Sequence, residues 1–177
     1  MSKDYQQILN KWLTLGDHQY LAARLLMIHG LYIIALPNAA MAIEYYLKCA
    51  MQLKDKEDKK IKHELTKGFK ILGLSLDESD KKFIKALEKS YDNKYPEKWG
   101  ENPKWEENLE ELDNLVVSLR NYIHSIANGQ LKIQDTLQAA KNGDNFSPSI
   151  AARFGTLEWK DIFLRANRYF GHFKFFG

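Results

Sequence analysis

The chain has 177 residues, of which 45% are hydrophobic and 28% charged, a mixture typical of one globular domain and not of a disordered segment. Its single cysteine, Cys49, excludes an intrachain disulfide and a cysteine-based metal cluster, and it favours a reducing, cytoplasmic setting. The net charge of +3 divides into +4 over residues 1–76, −5 over 77–116 and +4 over 117–177, so any binding of nucleic acid should be local.

Apolar residues recur at three- and four-residue spacing through most of the chain, which predicts an all-α fold. A first helix is predicted over about residues 3–14, with a left-handed glycine cap at Gly16. Asp17 then fits the N-cap of a second helix over about residues 18–29, which Gly30 closes.

The most apolar stretch, residues 20–36, is a poor membrane span because it contains Arg24 and ends at Pro37. The first twelve residues, MSKDYQQILNKW, lack the apolar core and cleavage site of a secretory signal. We therefore expect a soluble, cytoplasmic protein that does not contact the membrane.

Three further helices are predicted in the first half of the chain. Pro37 and Asn38 should begin the third, after the connection LYIIAL, and within it Glu44 and Lys48 are spaced for an i,i+4 ion pair. A fourth covers about residues 63–74, and His63 is interpreted as its capping residue. The Ser-x-x-Glu capping box at 75–78 should open a fifth helix that runs to about Asn93.

Asn102 and Pro103 predict the start of a sixth helix that ends near residue 127. On a helical wheel its apolar residues form one face, Arg120 and His124 lie together on the flank of that face, and Asn121 lies further round. A last helix over about residues 149–170 mixes basic and aromatic residues. That mixture fits an RNA-binding arm or, as we favour, an amphipathic helix packed on the bundle or on a second subunit.

The stretch SLRNYIHS at 118–125 contains the residue types that metal-independent RNA cleavage needs. His124 could move the proton of a ribose 2′-hydroxyl, Arg120 could stabilise the charge that develops on the phosphate, and Asn121 could orient either group. This chemistry requires no metal or other cofactor. The structural alternative is that Arg120 and His124 favour the helix dipole, or that Arg120 pairs with Asp113 one heptad earlier.

Several stretches, in order, resemble the HEPN domain, a helical family that includes RNA-cleaving toxins and small nucleotide-associated proteins. They are YLAARLLM at 20–27, NAAMAIEYYLKCAM at 38–51, KHEL at 62–65, KYP at 94–96 and SLRNYIHS at 118–125. The resemblance implies an up-and-down bundle of four or five helices, usually a homodimer, in which Arg and His of both subunits meet across a cleft. Carried over to this chain, the catalytic residues would be Arg120, Asn121 and His124.

We therefore expect one HEPN-like helical domain over residues 1–177, with its core at 15–128 and a helical extension at 129–177. Active members of the family usually place four to six residues between Arg and His, but RNYIH has three, which turns His124 by about 100°. Either the helix tightens locally, or the pair works in another geometry, or the domain is inactive.

Two functions agree with these observations. One is a metal-independent endoribonuclease of the toxin-antitoxin or defence type. The other is an inactive dimeric HEPN module that binds a nucleotide or a protein partner such as a nucleotidyltransferase.

Overall fold

The computed structural model describes residues 5–56, 61, 63–91, 108–127, 135–143 and 159–176, and within these ranges all regular structure is helical. The all-α prediction is confirmed. The elements are α1 (Tyr5–Ile8), a π-helical turn (Leu9–Leu13), α2 (Thr14–Ile28), α3 (Tyr32–Leu53), α4 (Leu65–Leu72), α5 (Glu78–Ser90), α6 (Asn108–Ile126), α7 (Thr136–Asn142), α8 (Trp159–Leu164) and a 3-10 turn (Phe170–His172). Helix α3 lies at the centre of the bundle, where it packs against α2, α4, α5 and α6.

The predicted break at Gly16 and the predicted N-cap at Asp17 are both wrong. Helix α1, the π-helical turn and α2 follow one another without interruption, and both residues are buried inside α2. A Cβ at Gly16 would lie 2.8 Å from Cε1 of Tyr46, so the glycine allows α2 to approach α3 closely. Sequence alone does not distinguish this use of glycine from a helix cap.

Helix α3 begins at Tyr32, so all of the predicted connection LYIIAL except its first residue, Leu31, is helical, and Pro37 lies inside the helix. A proline there removes one backbone hydrogen bond. The Asn38 side chain donates to the carbonyl of Ile34 at 2.7 Å in the same turn. Because Ala35 and Leu36 are buried and continue the apolar face of the helix, packing outweighs the lost bond.

Helices α4 and α5 occur in the predicted order, but their capping residues differ from those predicted. The C-cap of α4 is Gly73, which has the left-handed φ of +71°. The capping box of α5 is formed by Asp77 and Asp80, whose backbone N–H donates to Asp77 at 2.7 Å, and not by the predicted Ser-x-x-Glu at 75–78. The predicted helix end at Asn93, the start at 102–103 and residues 149–158 lie outside the described ranges.

The described residues after α7, numbers 159–176, pack on the bundle. Phe163 of α8 is fully buried, and Phe173 and Phe176 beyond the 3-10 turn are also buried. The prediction of a last helix that runs to about residue 170 is wrong, because α8 ends at Leu164 and turns follow it. The described part of this segment nevertheless packs on its own bundle, as the favoured interpretation expects. Within the same ranges, no helix has the length and apolar character needed to cross a bilayer.

Candidate functional site

Arg120 of α6 is fully buried and binds two carboxylates. Its Nη1 donates to Oδ1 of Asp17 on α2, and its Nη2 donates to Oδ2 of Asp135 at 2.7 Å. Asp17 also accepts from the hydroxyl of Tyr46 on α3 at 2.7 Å. The guanidinium therefore joins α2, α6 and the start of α7, with α3 connected through the tyrosine.

Asp135 has two roles in this cluster. As the N-cap of α7, its Oδ1 accepts from the backbone N–H groups of Leu137 and Gln138, both at 3.0 Å. Its other oxygen binds Arg120 and also accepts from the backbone N–H of Phe176 at 2.9 Å. This carboxylate thus connects the buried arginine to the end of the described chain.

One guanidinium is shared by two carboxylates, and this determines the charge of the cluster. Burial raises the pKa of Asp17 to about 6, and the charge of Asp135 adds to the effect although Arg120 opposes it. Burial alone would lower the pKa of Arg120, but the charges of Asp17 and Asp135 outweigh it and raise that pKa. Arg120 therefore stays charged, and above about pH 6 the cluster carries one excess negative charge.

Asn121 and His124 lie on the same helix as Arg120 and are partly exposed. Both contact residues 172–176, which we call the C-terminal strap. Asn121 Nδ2 donates to the carbonyl of His172 at 2.8 Å, and Asn121 Oδ1 accepts from the N–H of Lys174 at 2.9 Å. The ring of His124 lies 4.9 Å from that of Phe176. The side chains of Asn121 and His124 are therefore both in contact with the C-terminal strap.

The wheel is wrong in placing Arg120 on a half-shielded flank, because a wheel of one helix contains no information on carboxylates from other elements. The proposed pairing of Arg120 with Asp113 is also wrong, since other acidic residues bind Arg120. Sequence reasoning missed Asp17 as a partner because it was interpreted as a cap. Asp135 precedes the helix TLQAAKN, and that N-cap position was the only signal for it.

A second buried arginine, Arg24 of α2, holds the C-terminal part of the chain. Its Nη1 donates to Oδ2 of Asp113, its Nε donates to the carbonyl of Ile162 at 2.9 Å, and its Nη2 donates to the carbonyl of Arg165. The hydroxyl of Tyr20 donates to the other oxygen of Asp113 at 2.7 Å. This arginine has a structural role because each of its donor nitrogens binds a protein oxygen.

A third polar cluster surrounds Glu44 of α3. It accepts from Lys48 Nζ at 2.5 Å, which confirms the predicted ion pair, and from the hydroxyl of Tyr91 at 2.8 Å. His63 Nδ1 lies 3.1 Å from Glu44 Oε2, and Glu64 occupies the N-cap of α4, so the capping role given to His63 is wrong. Among the described residues, no group of side chains is suited to hold a metal ion.

Fold and site together define an all-α helical bundle whose sixth helix carries a buried arginine followed by a partly exposed histidine. A family model described as HEPN domain matches residues 9–127, two thirds of the chain, so the chain belongs to the HEPN domain family. The resemblance inferred from the sequence is confirmed. Neither the curated proteins nor the solved structures give a match.

Proposed function

We propose that this protein is a HEPN-family interaction module that forms a homodimer and binds a protein partner or a nucleotide without cleaving RNA. The observation that carries the proposal is the burial of Arg120, whose Nη1 and Nη2 are bound by Asp17 and Asp135. A catalytic guanidinium has to place donors within about 3 Å of the reacting phosphate. Here those donors are used inside the bundle.

The charges near the cluster support the same proposal. The excess negative charge of Asp17 and Asp135 opposes the approach of a phosphate. A cavity of about 290 Å³ between α5 and α6 is lined by Asp77, Asp80, Glu110 and Glu111 among other residues, and it is acidic as well. Neither place offers a favourable field for an RNA backbone.

Exposed apolar side chains support the part of the proposal that concerns a partner. Leu31, at the turn between α2 and α3, is 50% exposed, and Ile34 in the first turn of α3 is 58% exposed. These two large apolar side chains, three positions apart in the sequence, expose surface that a contact with another protein would cover.

The second candidate is the metal-independent endoribonuclease with Arg120, Asn121 and His124. It is favoured by one observation, the partial exposure of Asn121 and His124, since a partly exposed histidine could act as a general acid or base. In this case Arg120 would act through the cluster and not by contact with the substrate.

RNA cleavage in EDTA separates the two candidates. We expect the purified chain to leave RNA intact, to have twice the mass of one chain in solution, and to co-purify with a partner protein or bind a nucleotide. Cleavage that leaves 2′,3′-cyclic phosphate ends, and that is lost in His124→Gln but retained in the matched surface control His29→Gln, would instead establish the ribonuclease. The conservative His124→Gln is preferable to a change at Arg120, which would leave two buried carboxylates without their cation.

A further inference from the structure

Glu44 of α3 is a buried carboxylate that binds side chains from three parts of the fold. Its Oε1 accepts from Lys48 Nζ one turn later, and its Oε2 accepts from the hydroxyl of Tyr91, the C-cap of α5, at 2.8 Å. Burial would raise the pKa of Glu44, but the hydrogen bonds from its partners outweigh burial and lower that pKa. Glu44 is therefore an ionised carboxylate, which accepts hydrogen bonds and cannot donate them.

The ionised state of Glu44 determines which ring nitrogen of His63 carries the hydrogen. His63 Nδ1 lies 3.1 Å from Glu44 Oε2, and because that oxygen only accepts, Nδ1 has to be the N–H donor. In the neutral imidazole the other nitrogen, Nε2, then carries the lone pair. The side chain of His63 is 68% exposed, so with Nδ1 held against Glu44 the Nε2 atom lies on the open side of the ring.

The ring of Tyr91 holds the imidazole of His63 in place. The two ring centroids are 4.3 Å apart, and the ring planes are inclined by 38°. A hydrogen bond at Nδ1 and a ring contact together restrict the rotation of the imidazole. A carboxylate that fixes the tautomer and orientation of a histidine is the arrangement by which proteins prepare Nε2 for reaction.

The charges beside the histidine determine which electrophile suits it. Lys48 is bound by Glu44, and Lys67 in the first turn of α4 is bound by Glu64, so neither ammonium group is left unpaired to hold a phosphate. The carboxylate of Glu88, which accepts from the backbone at the start of α4, adds a negative charge nearby. A polyanionic phosphoryl donor is therefore disfavoured, whereas a neutral carbonyl compound meets no such repulsion.

We propose that His63 and Glu44 form a nucleophilic site for neutral activated acyl groups, such as a carboxylic ester with a good leaving group. The lone pair of Nε2 attacks the carbonyl carbon, a bond between Nε2 and carbon forms, and the leaving group departs with the electron pair of its own bond. Water then adds to the acyl carbon, and the bond to Nε2 breaks with its electrons returning to the imidazole. One proton of the water passes through solvent to the leaving group.

His63 is the catalytic residue in this reaction, and Glu44 is a positioning residue. The acylated imidazole keeps the hydrogen on Nδ1 and carries a positive charge, which the adjacent carboxylate of Glu44 stabilises. This activity goes beyond the proposed function, because it requires neither a dimer nor a protein partner. It also uses none of the residues Arg120, Asn121 and His124.

Hydrolysis of the neutral ester p-nitrophenyl acetate by the full-length chain tests the inference. We expect the wild type at pH 7 to be about tenfold or more faster than His63→Gln. The matched control is His29→Gln, at an exposed position in the turn between α2 and α3, which should keep the wild-type rate. His63→Gln should stay folded because the side chain is largely exposed, and circular dichroism checks this.

Two further measurements separate a reaction at Nε2 from a structural effect. Mass spectrometry of the quenched reaction should find the acetyl group on His63. The wild-type rate should rise with pH as imidazoles lose their proton, and this rise should be absent in His63→Gln. Glu44→Gln keeps an oxygen acceptor but removes the charge, so it should lower the pH-dependent part of the rate by about tenfold.

Several results would overturn the inference. Equal rates in the wild type and His63→Gln, or acetyl groups divided equally between His63 and His29, would exclude the nucleophilic site. An unchanged rate in Glu44→Gln would exclude the positioning role of the carboxylate. Faster turnover of the anionic p-nitrophenyl phosphate than of the acetate would exclude the neutral class of substrate. The proposed function is tested separately, since none of these results depends on dimer formation, partner binding or RNA cleavage.

Discussion

The substitution Asp17→Asn should remove a specific pH dependence from the stability of the protein. Asp17 is fully buried, shares Arg120 with a second carboxylate and has a pKa raised to about 6 from an ordinary value of 3.8. The folded state therefore binds a proton more tightly at this position than the unfolded state does. Asparagine keeps the size of the side chain and an oxygen acceptor but does not titrate.

The sign and the size of the effect follow from these two pKa values. Below about pH 4 the carboxyl is mostly protonated in both states, and above about pH 6 it is mostly ionised in both, so its contribution to the free energy of unfolding falls as the pH rises between them. A raised pKa of about two units corresponds to about 3 kcal/mol in full. About 2 kcal/mol of this change in the free energy of unfolding occurs between pH 4.5 and pH 7.

The assay is urea denaturation of the wild type and of Asp17→Asn at pH 4.5 and at pH 7. On lowering the pH, the wild type should gain about 2 kcal/mol relative to the variant, because every other titrating group is common to both chains. Asp161→Asn, at an exposed position on α8, is the matched control and should show no such difference. A wild type that gains nothing, or loses stability relative to Asp17→Asn at pH 4.5, would refute the shared-guanidinium account of this cluster.

Three other substitutions test the packing around the site by denaturation. Gly16→Ala should lower the free energy of unfolding by about 1–3 kcal/mol because its Cβ would lie 2.8 Å from the ring of Tyr46, whereas Gly171→Ala, with open space, should change little. Arg24→Lys keeps the charge but loses the bonds to two backbone carbonyls, so the free energy of unfolding should fall by about 1–3 kcal/mol and hydrogen exchange in α8 should become faster. Unchanged exchange in α8 would contradict the role given to this arginine. Glu44→Gln should cost about 1–3 kcal/mol because it neutralises a buried acceptor with three polar partners, and a neutral result would mean that the cluster is not stabilising.

The helical periodicity predicted the fold because the apolar faces of the helices are what the bundle buries. It could not predict which local signals are overridden by packing. Pro37 marks a helix start by its own preferences, yet the buried residues before it keep the preceding turn helical. Gly16 marks a helix end, yet the approach of Tyr46 requires a glycine within the helix. In both cases the deciding contact involves another part of the chain.

The candidate site was predictable in its residue types and not in its accessibility. The motif around Arg120 and His124 and the family both follow from the sequence. The burial of Arg120 depends on Asp17, far earlier in the chain, and on Asp135, just after the family match. A spacing rule within one helix contains no information on either partner, and for this reason it could not predict that Arg120 belongs to a buried ion-pair cluster.

The two buried arginines explain why the residues beyond the family match are part of the fold's stability. Arg24 needs carbonyls from the α8 region, and Arg120 needs Asp135 at the start of α7. A bundle limited to residues 9–127 would leave both guanidinium groups with buried donors unsatisfied, at a cost of about 1–3 kcal/mol for each lost partner. The strap is connected to these clusters as well, because Asp135 accepts from the N–H of Phe176 and Tyr20 accepts from the side chain of Asn167.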